Sequence, residues 1–322
     1  MVRLRHSDAN GKGYTRKRSG RGWTYLDSDG NRVVDRQLRA RMEGLGIPPA
    51  WTDVWIAPYE NGHVQATGVD SAGRRQYIYH PTWREQKDRI KFDRALQLAE
   101  SLPAARRQVT MHLRQDGFTR ERALAAGFRM LDTGSLRVGS ERYTESNGSH
   151  GLSTLLCSHV TIHDDTVHLE FPAKSGQEWS SDIRDADLVE AIRGLTRRGP
   201  NARLLAYRDG SDWHPLGAAD INDYVRERTG GDFTAKDFRT LHGTVAAAIS
   251  LAKHGPEETK GKRQKALAQA YRDAAEVLSN TPTIAKNSYV DPRLVDEYLH
   301  GRTIDPHRPA SGETELRNLL FR

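Results

Sequence analysis

The chain has 322 residues, of which 36% are hydrophobic, and this length suits two domains better than one. Its net charge of +7 favours a polyanionic partner, although charge alone would fit a membrane surface or a ribosomal partner nearly as well. The single cysteine, Cys157, excludes an internal disulfide, and we expect neither a signal peptide nor a membrane-spanning helix. The expected compartment is the cytoplasm or the nucleoid.

The first 80 residues are predicted to form a small β-rich unit. Residues 1–35, which are basic and rich in glycine, are interpreted as a mobile arm that leads into the first strands. A helix is predicted over residues 35–45, and Asp29-Gly30 and Asn61-Gly62 are turn signals between strand pairs. The predicted strands, each short and bounded by turn residues, are 23–26, 32–34, 54–56, 64–68 and 75–79.

Helical periodicity begins at Trp83, where apolar residues start to recur at spacings of three and four. A hairpin interrupts the helices, with strands at 160–162 and 167–169. Further helices are predicted to begin near Asp187, Ile221 and Asp237 and to span residues 262–278. The expected fold class is therefore α+β, with a small β-rich N-terminal domain (1–85) and a larger, mainly α-helical domain (86–322) that contains a short β-hairpin.

Tyr289 is the candidate nucleophile of the chain. A phenol with a pKa of about 10 reacts at neutral pH only where fixed positive charge stabilises the phenolate and the charge that develops on its target. Upstream, Arg137 lies between two glycines, Lys174 follows a predicted strand in a Lys-Ser-Gly turn, and Lys236 and Arg239 share one face of a helix start. One tyrosine with several cations could attack a phosphodiester without metal or water.

Each of these residues also has an ordinary structural explanation. Lys174 would usually be a solvated turn lysine and Arg137 an exposed loop arginine. Asn280 is expected to cap the helix that ends before Pro282, and Tyr289 could be a core tyrosine. Taken one at a time, these explanations compete with a catalytic role.

Two further patterns are not interpreted as sites. Residues 255–263 imitate a phosphate-binding loop, but five residues separate the glycines and arginine stands where Ser or Thr must hold Mg²⁺. The histidines of the predicted hairpin, His159, His163 and His168, would point in mixed directions. We therefore expect no ATP, no metal and no other cofactor.

Eight segments occur in a fixed order along the chain: 45–56, 61–68, 73–83, 137–143, 151–155, 174–176, 236–239 and 280–289. Together they resemble the type IB DNA topoisomerases, in their bacterial, poxvirus-like branch, over nearly the whole chain. The departures are modest: Leu241-His242 replaces the usual Trp-Gly, Ser279 a usual Gly, Lys286-Asn287 the usual Arg-Lys, and Ser140 a common Asn. None of them removes a proposed catalytic group.

The resemblance implies a role for each candidate in the catalytic domain. Tyr289 would attack the scissile phosphorus and form a 3′-phosphotyrosyl link. Arg137 and Arg239 would clamp the non-bridging oxygens, and Lys174 would protonate the leaving 5′ oxygen. Asn280 would donate a hydrogen bond to a non-bridging oxygen, and Lys236 is also expected at the phosphate.

The resemblance further implies that the N-terminal domain (1–85) binds DNA. Gln76, Tyr77 and Tyr79 match positions at which relatives contact DNA in the major groove, and Gln65, Arg74 and Arg75 are additional candidate contacts. The partner would be double-stranded DNA, which a monomer clamps. Strand rotation and religation would then relax positive and negative supercoils without ATP or a required metal.

Two alternatives remain. A tyrosine recombinase has the same nucleophile and catalytic-domain fold, but recombinases usually carry His where Lys236 stands and have a helical, not β-rich, N-terminal domain. A DNA-binding protein with a decayed site is the other alternative, and the presence of all the proposed catalytic residues weighs against it.

Overall fold

Two units, Met1–Ile90 and Lys91–Arg322, make up the chain in the computed structural model, which describes residues 3–308 and 311–321. A five-stranded sheet dominates the first unit and helices dominate the second. The predicted α+β class is confirmed. Among the described residues, no helix combines the length and the apolar character that crossing a membrane requires.

The N-terminal unit is built on one antiparallel sheet in the order β2-β1-β3-β4-β5. Its strands are β1 (Tyr14–Ser19), β2 (Gly22–Leu26), β3 (Thr52–Ile56), β4 (Val64–Val69) and β5 (Arg75–Tyr79). Helix α1 (Arg36–Gly44) begins after Asp35, whose carboxylate accepts the N–H groups of Gln37 and Leu38. The predicted helix at 35–45 and the predicted strands at 54–56, 64–68 and 75–79 are confirmed.

The interpretation of residues 1–35 as a mobile arm is wrong for Tyr14–Ser19, which form a strand between β2 and β3. Its basic side chains are not all solvated. The Arg16 guanidinium lies 4.0 Å from the centroid of the Trp23 ring and donates to the carbonyl of Ile47 at 2.8 Å. An arginine that stacks on an aromatic ring and hydrogen-bonds the backbone can pack against a sheet, although its charge alone predicts exposure to solvent. The predicted strand at 32–34 is reduced to a bridge between Leu26 and Arg32.

The second unit contains ten helices within its described residues. They are α2 (Pro81–Leu113), which begins in the first unit, α3 (Arg120–Gly134), α4 (Glu141–Asn147), α5 (Ala186–Leu195), α6 (Ala218–Thr229), α7 (Ala235–His254), α8 (Lys260–Leu278), α9 (Pro282–Ser288), α10 (Pro292–Leu299) and α11 (Gly312–Leu320). The helices predicted near Asp187, Ile221 and Asp237 and at 262–278 are confirmed.

A three-stranded antiparallel sheet carries the Lys174 turn. Its strands are β6 (Val160–His163), β7 (Thr166–Pro172) and β8 (Glu178–Arg184), and a single turn, Lys174–Gly176, joins β7 to β8. The predicted hairpin is confirmed. Strand β8 was not predicted, because Ser180, Ser181 and Asp182 interrupt its apolar pattern. The hairpin of β9 (Ala206–Asp209) and β10 (Asp212–Pro215) was not predicted either, because each strand has only four residues.

The hydrophobic core of the second unit fixes the start of α7. Phe238 on α7 is fully buried and meets Phe128 of α3 edge to face, with ring centroids 5.4 Å apart. Because Phe238 immediately precedes Arg239, this contact sets the depth at which the Arg239 side chain leaves the helix. The C-terminal end of α3, at Gly134, lies just before Arg137 in the chain, so α3 and α7 together position both arginines.

Candidate active site

Helix α7 begins after Thr234, whose backbone is held by the carboxylate of Asp237. The Asp237 carboxylate accepts the N–H of Thr234 at 2.8 Å, and Arg94 of α2 donates to the same carboxylate at 3.2 Å. Lys236, in the first turn, is exposed, whereas Arg239, one turn further on, is only 2% exposed. The helix thus presents one cation to solvent and buries the other.

Arg239 is buried without a carboxylate partner among the described residues. Its Nη1 donates to the carbonyl of Ser135 and its Nη2 to the carbonyl of Leu278 at 2.8 Å. Its Nε is buried and has no hydrogen-bond partner. Burial, followed by repulsion from Arg137, lowers the pKa of Arg239 to about 10. Arg239 therefore keeps its charge at neutral pH and can neutralise an anion that enters the site.

Tyr289 lies at the C-terminal end of α9, close to this guanidinium. The Arg239 guanidinium carbon is 5.3 Å from the centroid of the Tyr289 ring. Helix α7 also holds the Tyr289 backbone, because the Thr244 hydroxyl donates to its carbonyl at 2.9 Å. A Cβ on Gly243 would lie 2.9 Å from the Cβ of Tyr289, so this close approach requires glycine. The same helix therefore seats the phenol and the buried cation.

The pKa of the Tyr289 phenol is lowered below its ordinary value of about 10. Burial alone raises this pKa, but the charge and hydrogen bonding of Arg239, together with the charges of Arg137 and Lys236, outweigh it. The phenolate is thus more accessible at neutral pH than in free tyrosine, which makes Tyr289 a better nucleophile.

Arg137 and Asn280 form a pair beside the phenol. Arg137 Nη2 donates to Asn280 Oδ1 at 2.9 Å, and burial lowers the pKa of Arg137, an effect that Tyr289 opposes. Because Oδ1 faces a guanidinium, the amide nitrogen Nδ2 remains as a donor, and it is buried without a hydrogen-bond partner. Asn280 was expected to cap α8, but Ser279, with φ of 44°, takes that position. The amide of Asn280 is therefore free for the site.

The segment that carries Arg137 is held by two glycines. A Cβ on Gly151 would lie 2.5 Å from the Cα of Gly139 and 2.9 Å from the carbonyl oxygen of Arg137. The N–H of Leu152 donates to that carbonyl at 2.9 Å. Backbone packing at this distance fixes the start of the Arg137 side chain.

Lys174 is exposed on its turn. It lines a cavity of about 200 Å³ that Arg137, Ser140, Tyr143 and His150 also line. The structure thus brings Tyr289, Arg239, Arg137 and Asn280 together, with Lys236 close enough to affect the phenol, and it connects Lys174 to this group through the cavity beside Arg137.

The candidate DNA contacts of the N-terminal unit separate into two sets. Arg75, Tyr77 and Tyr79 alternate along β5 on its exposed side, and the two tyrosine rings stack with centroids 5.9 Å apart. Gln76 lies on the opposite side of the strand, where its amide donates to Asp70 at 2.9 Å. The first set presents an aromatic and basic surface to solvent, where Arg75 also pairs with the Asp53 carboxylate at 3.0 Å.

Gln65 and Arg74 have protein partners. Gln65 is 5% exposed, and its amide nitrogen donates to the carbonyls of Glu60 at 2.9 Å and Gly62 at 2.7 Å. Arg74 forms an ion pair with Asp70 at 2.9 Å but keeps a largely exposed side chain. The burial of Gln65 favours a structural role, since its amide already bonds the loop that precedes β4.

Sequence reasoning missed Gly243 and Thr244, which seat Tyr289, and Ser135, which anchors Arg239. A Gly-Thr pair within an apolar helix gives no local signal of what it will contact. Ser135 follows Gly134 at the end of α3 and adopts a positive φ of 53°. This position favours glycine, so the serine would be noticed only once the backbone is known.

Two family models match the chain. A model of the catalytic core of eukaryotic DNA topoisomerase I matches residues 80–299, and a model of the N-terminal domain of bacterial DNA topoisomerase IB matches residues 22–70. Together they cover both units, in the order that the sequence motifs predicted.

Individual relatives agree with these matches. DNA topoisomerase 1B of Acanthamoeba polyphaga mimivirus is 31% identical over 287 residues, which cover 87% of this chain and 85% of the viral protein. DNA topoisomerase 1B of Vaccinia virus (strain Copenhagen) is 22% identical over 267 residues, or 79% of this chain and 80% of that protein. DNA topoisomerase 1 of Mycosarcoma maydis is 26% identical over 222 residues, or 62% of this chain and 22% of the fungal protein.

The electrostatic account of the site predicts that Lys236→Ala raises the pKa of Tyr289, because one of the charges that stabilise the phenolate is removed. An alkaline ultraviolet titration measures the ionisation of phenols. Subtracting the curve of the same protein with Tyr289→Phe added isolates the Tyr289 phenol. Lys253→Ala, an exposed lysine at the other end of α7, is the matched control and should leave the titration unchanged. An unchanged pKa in Lys236→Ala would contradict the account.

Proposed function

The chain belongs to the type IB DNA topoisomerase family, and we propose that it relaxes positive and negative supercoils through transient single-strand cleavage by Tyr289. The observation that carries this proposal is the position of the Tyr289 ring 5.3 Å from the guanidinium of Arg239, which is buried and has no carboxylate partner among the described residues. A structural tyrosine has no need of that arrangement, whereas a nucleophile for an anionic target does.

In the proposed step, the phenolate oxygen of Tyr289 attacks the scissile phosphorus. A P–O(tyrosine) bond forms and the P–O5′ bond breaks, which leaves a 3′-phosphotyrosyl link and a 5′ oxygen that receives a proton from the Lys174 ammonium. Religation is the reverse. One phosphodiester replaces another at nearly equal energy, so the cycle does not need the free energy of ATP hydrolysis.

The cations of the site would stabilise the transition state. Arg239 and Arg137 are the proposed ligands of the non-bridging oxygens, and Nδ2 of Asn280 is a third donor, with Lys236 adding positive charge. Removing one such preorganised donor typically costs about 10²–10³ in rate. Asn280 would act twice, since the oxygen of its amide also orients Arg137. These protein charges supply the electrostatic stabilisation that a metal ion provides in other phosphoryl-transfer enzymes.

We propose that the protein works as a monomer whose two units clamp a duplex at the nucleoid. The net charge of +7 and the exposed surface of Arg75, Tyr77 and Tyr79 support contact with a phosphate backbone and groove edges. While Tyr289 holds the 3′ end, torsion in the DNA would rotate the free 5′ end before religation. Binding should weaken steeply as salt increases.

A tyrosine recombinase is the alternative with the same chemistry. Two observations favour the topoisomerase: the N-terminal unit is a five-stranded sheet and not a helical domain, and Lys236 occupies the start of α7, where recombinases usually have histidine. The family matches to both units point in the same direction.

The proposal predicts stepwise relaxation of positively and negatively supercoiled plasmid by purified protein in EDTA without ATP. Tyr289→Phe should abolish relaxation, because the ring remains but the attacking oxygen is lost. Tyr271→Phe, which removes the hydroxyl of a partly buried tyrosine on α8, is the matched control and should stay active. Failure of the wild type to relax either plasmid, or activity in Tyr289→Phe, would reject the proposed function. Recombined products would indicate the recombinase alternative.

A second prediction concerns Lys174 as general acid. Lys174→Ala should slow cleavage by about 10²–10⁴-fold on ordinary DNA, the usual contribution of a positioned proton donor. The cleavage rate of Lys174→Ala should largely recover on DNA with a 5′-bridging sulfur, because a thiolate leaves without a proton. Lys265→Ala, on α8, is the control and should behave like the wild type on both substrates. An equal loss by Lys174→Ala on both substrates would reject Lys174 as the acid.

A further inference from the structure

His242 is joined to the catalytic site through one serine. It lies on α7, three residues after Arg239, and its Nδ1 is 2.7 Å from the hydroxyl oxygen of Ser135. The carbonyl of the same Ser135 accepts Nη1 of Arg239. Ser135 therefore contacts His242 with its side chain and Arg239 with its backbone. The resemblance led us to expect glycine at residue 242, and a glycine has no side chain that could make this contact.

Ser135 adopts a backbone conformation that disfavours serine. It ends α3 with φ of 53° and ψ of 26°, in the left-handed region, and its side chain is buried. Glycine has no steric cost at such a helix end, whereas other residues pay about 1 kcal/mol. The Ser135 hydroxyl can offset this cost only by forming a hydrogen bond, and its partner is Nδ1 of His242.

A charged cluster surrounds the imidazole. Asp132 and Glu313 have carboxylate oxygens within 4.8 Å of a ring nitrogen of His242. Arg106 donates to both carboxylates, to Asp132 at 2.7 and 2.8 Å and to Glu313 at 2.7 and 2.9 Å. These bonds tie α2, α3 and α11 together around His242.

The same cluster is a poor metal site despite its ligand types. The Arg106 guanidinium offsets one of the two carboxylate charges and donates to both oxygens of each carboxylate, so a divalent ion would have to displace these bonds. Burial lowers the pKa of His242, although Asp132 and Glu313 act in the opposite direction and Arg106 and Arg239 add to the lowering. A neutral imidazole leaves the charge of Arg239 for the substrate.

Arg239 depends on few contacts for its orientation. Besides its contact with the Tyr289 phenol, its hydrogen bonds go to two main-chain carbonyls, those of Ser135 and Leu278. Neither partner is a carboxylate, so the direction of the guanidinium depends on where these two carbonyls point. Any rotation of the Ser135 peptide would remove one of the two anchors.

We propose that His242 is a positioning residue, which holds the Ser135 peptide and thereby aims Arg239 at the scissile phosphodiester. The proposal rests on the proposed function, since it assigns His242 a part in the same cleavage step. His242 contacts no substrate in this account. Its contribution is to the geometry of a cation that does, and misplacement of such a group by about 1 Å can cost about 10²-fold in rate.

The test uses variants that separate the hydrogen bond from the fold. Ser135→Gly removes the hydroxyl and suits the left-handed backbone, so the lost hydrogen bond and the relieved strain should leave its thermal stability close to that of the wild type. His242→Leu removes the bond from the other side, and His242→Asn restores a polar atom near the position of Nδ1. Asp164→Gly, another non-glycine residue with positive φ, on the β6–β7 hairpin, is the matched control.

The measurement is the rate of covalent adduct formation on supercoiled plasmid with enzyme in excess, stopped with detergent, beside DNA affinity for each variant. Ser135→Gly and His242→Leu should each slow the adduct about 10–100-fold with little change in affinity. The variant that combines Ser135→Gly and His242→Leu should be no slower than either single variant, because both substitutions remove the same hydrogen bond. His242→Asn should recover most of the rate, and Asp164→Gly should match the wild type.

Two results would overturn the proposal while leaving the function intact. One is a wild-type rate of adduct formation in a stably folded Ser135→Gly variant. This result can be interpreted even if His242→Leu does not fold. The other is a double variant whose loss is the product of the two single losses. An inactive wild-type protein would instead reject the proposed function itself.

Discussion

The site depends on a positive charge that the fold buries without a negative partner. Arg239 is 2% exposed and is held by two main-chain carbonyls, with no carboxylate in reach among the described residues. Burying an ion costs several kcal/mol unless its charge is compensated. The packing of the core around Phe238 offsets this cost, and an incoming phosphate would supply the missing negative charge. A cation that is fixed before the substrate arrives needs little reorganisation in the transition state.

The reactivity of Tyr289 follows from this arrangement more than from its own ring. Helix α7 carries both Arg239 and the two residues that seat the tyrosine, Gly243 and Thr244. The distance between nucleophile and cation is therefore set within one rigid element. Arg137 reaches the same point from a different segment, and Asn280 joins it there. The site is thus assembled from distant parts of the chain around one helix.

Local sequence patterns predicted the helix at 35–45, those near Asp187, Ile221 and Asp237 and the one at 262–278, as well as the Lys174 turn, because periodicity, caps and turn residues act over a few positions. The set of cations was singled out by the family resemblance, since each cation alone also had an ordinary structural explanation. The strand at Tyr14–Ser19 was missed, since the stacking of Arg16 on Trp23 depends on tertiary packing. The same reason hides the burial of Arg239 and its link through Ser135. The position of Gln76 on the other side of β5 from Tyr77 was predictable, because side chains alternate along any strand.

The central claim is that Arg239 acts on the charge of the phosphodiester. The most direct measurement is the cleavage rate of Arg239→Gln, relative to wild type, on ordinary duplex DNA and on the same duplex with an uncharged methylphosphonate at the scissile position. Comparing the two substrates within one variant cancels any effect on folding. The account predicts a loss of about 10²–10³-fold on ordinary DNA and a much smaller loss on the uncharged substrate. Equal losses on both substrates would contradict it.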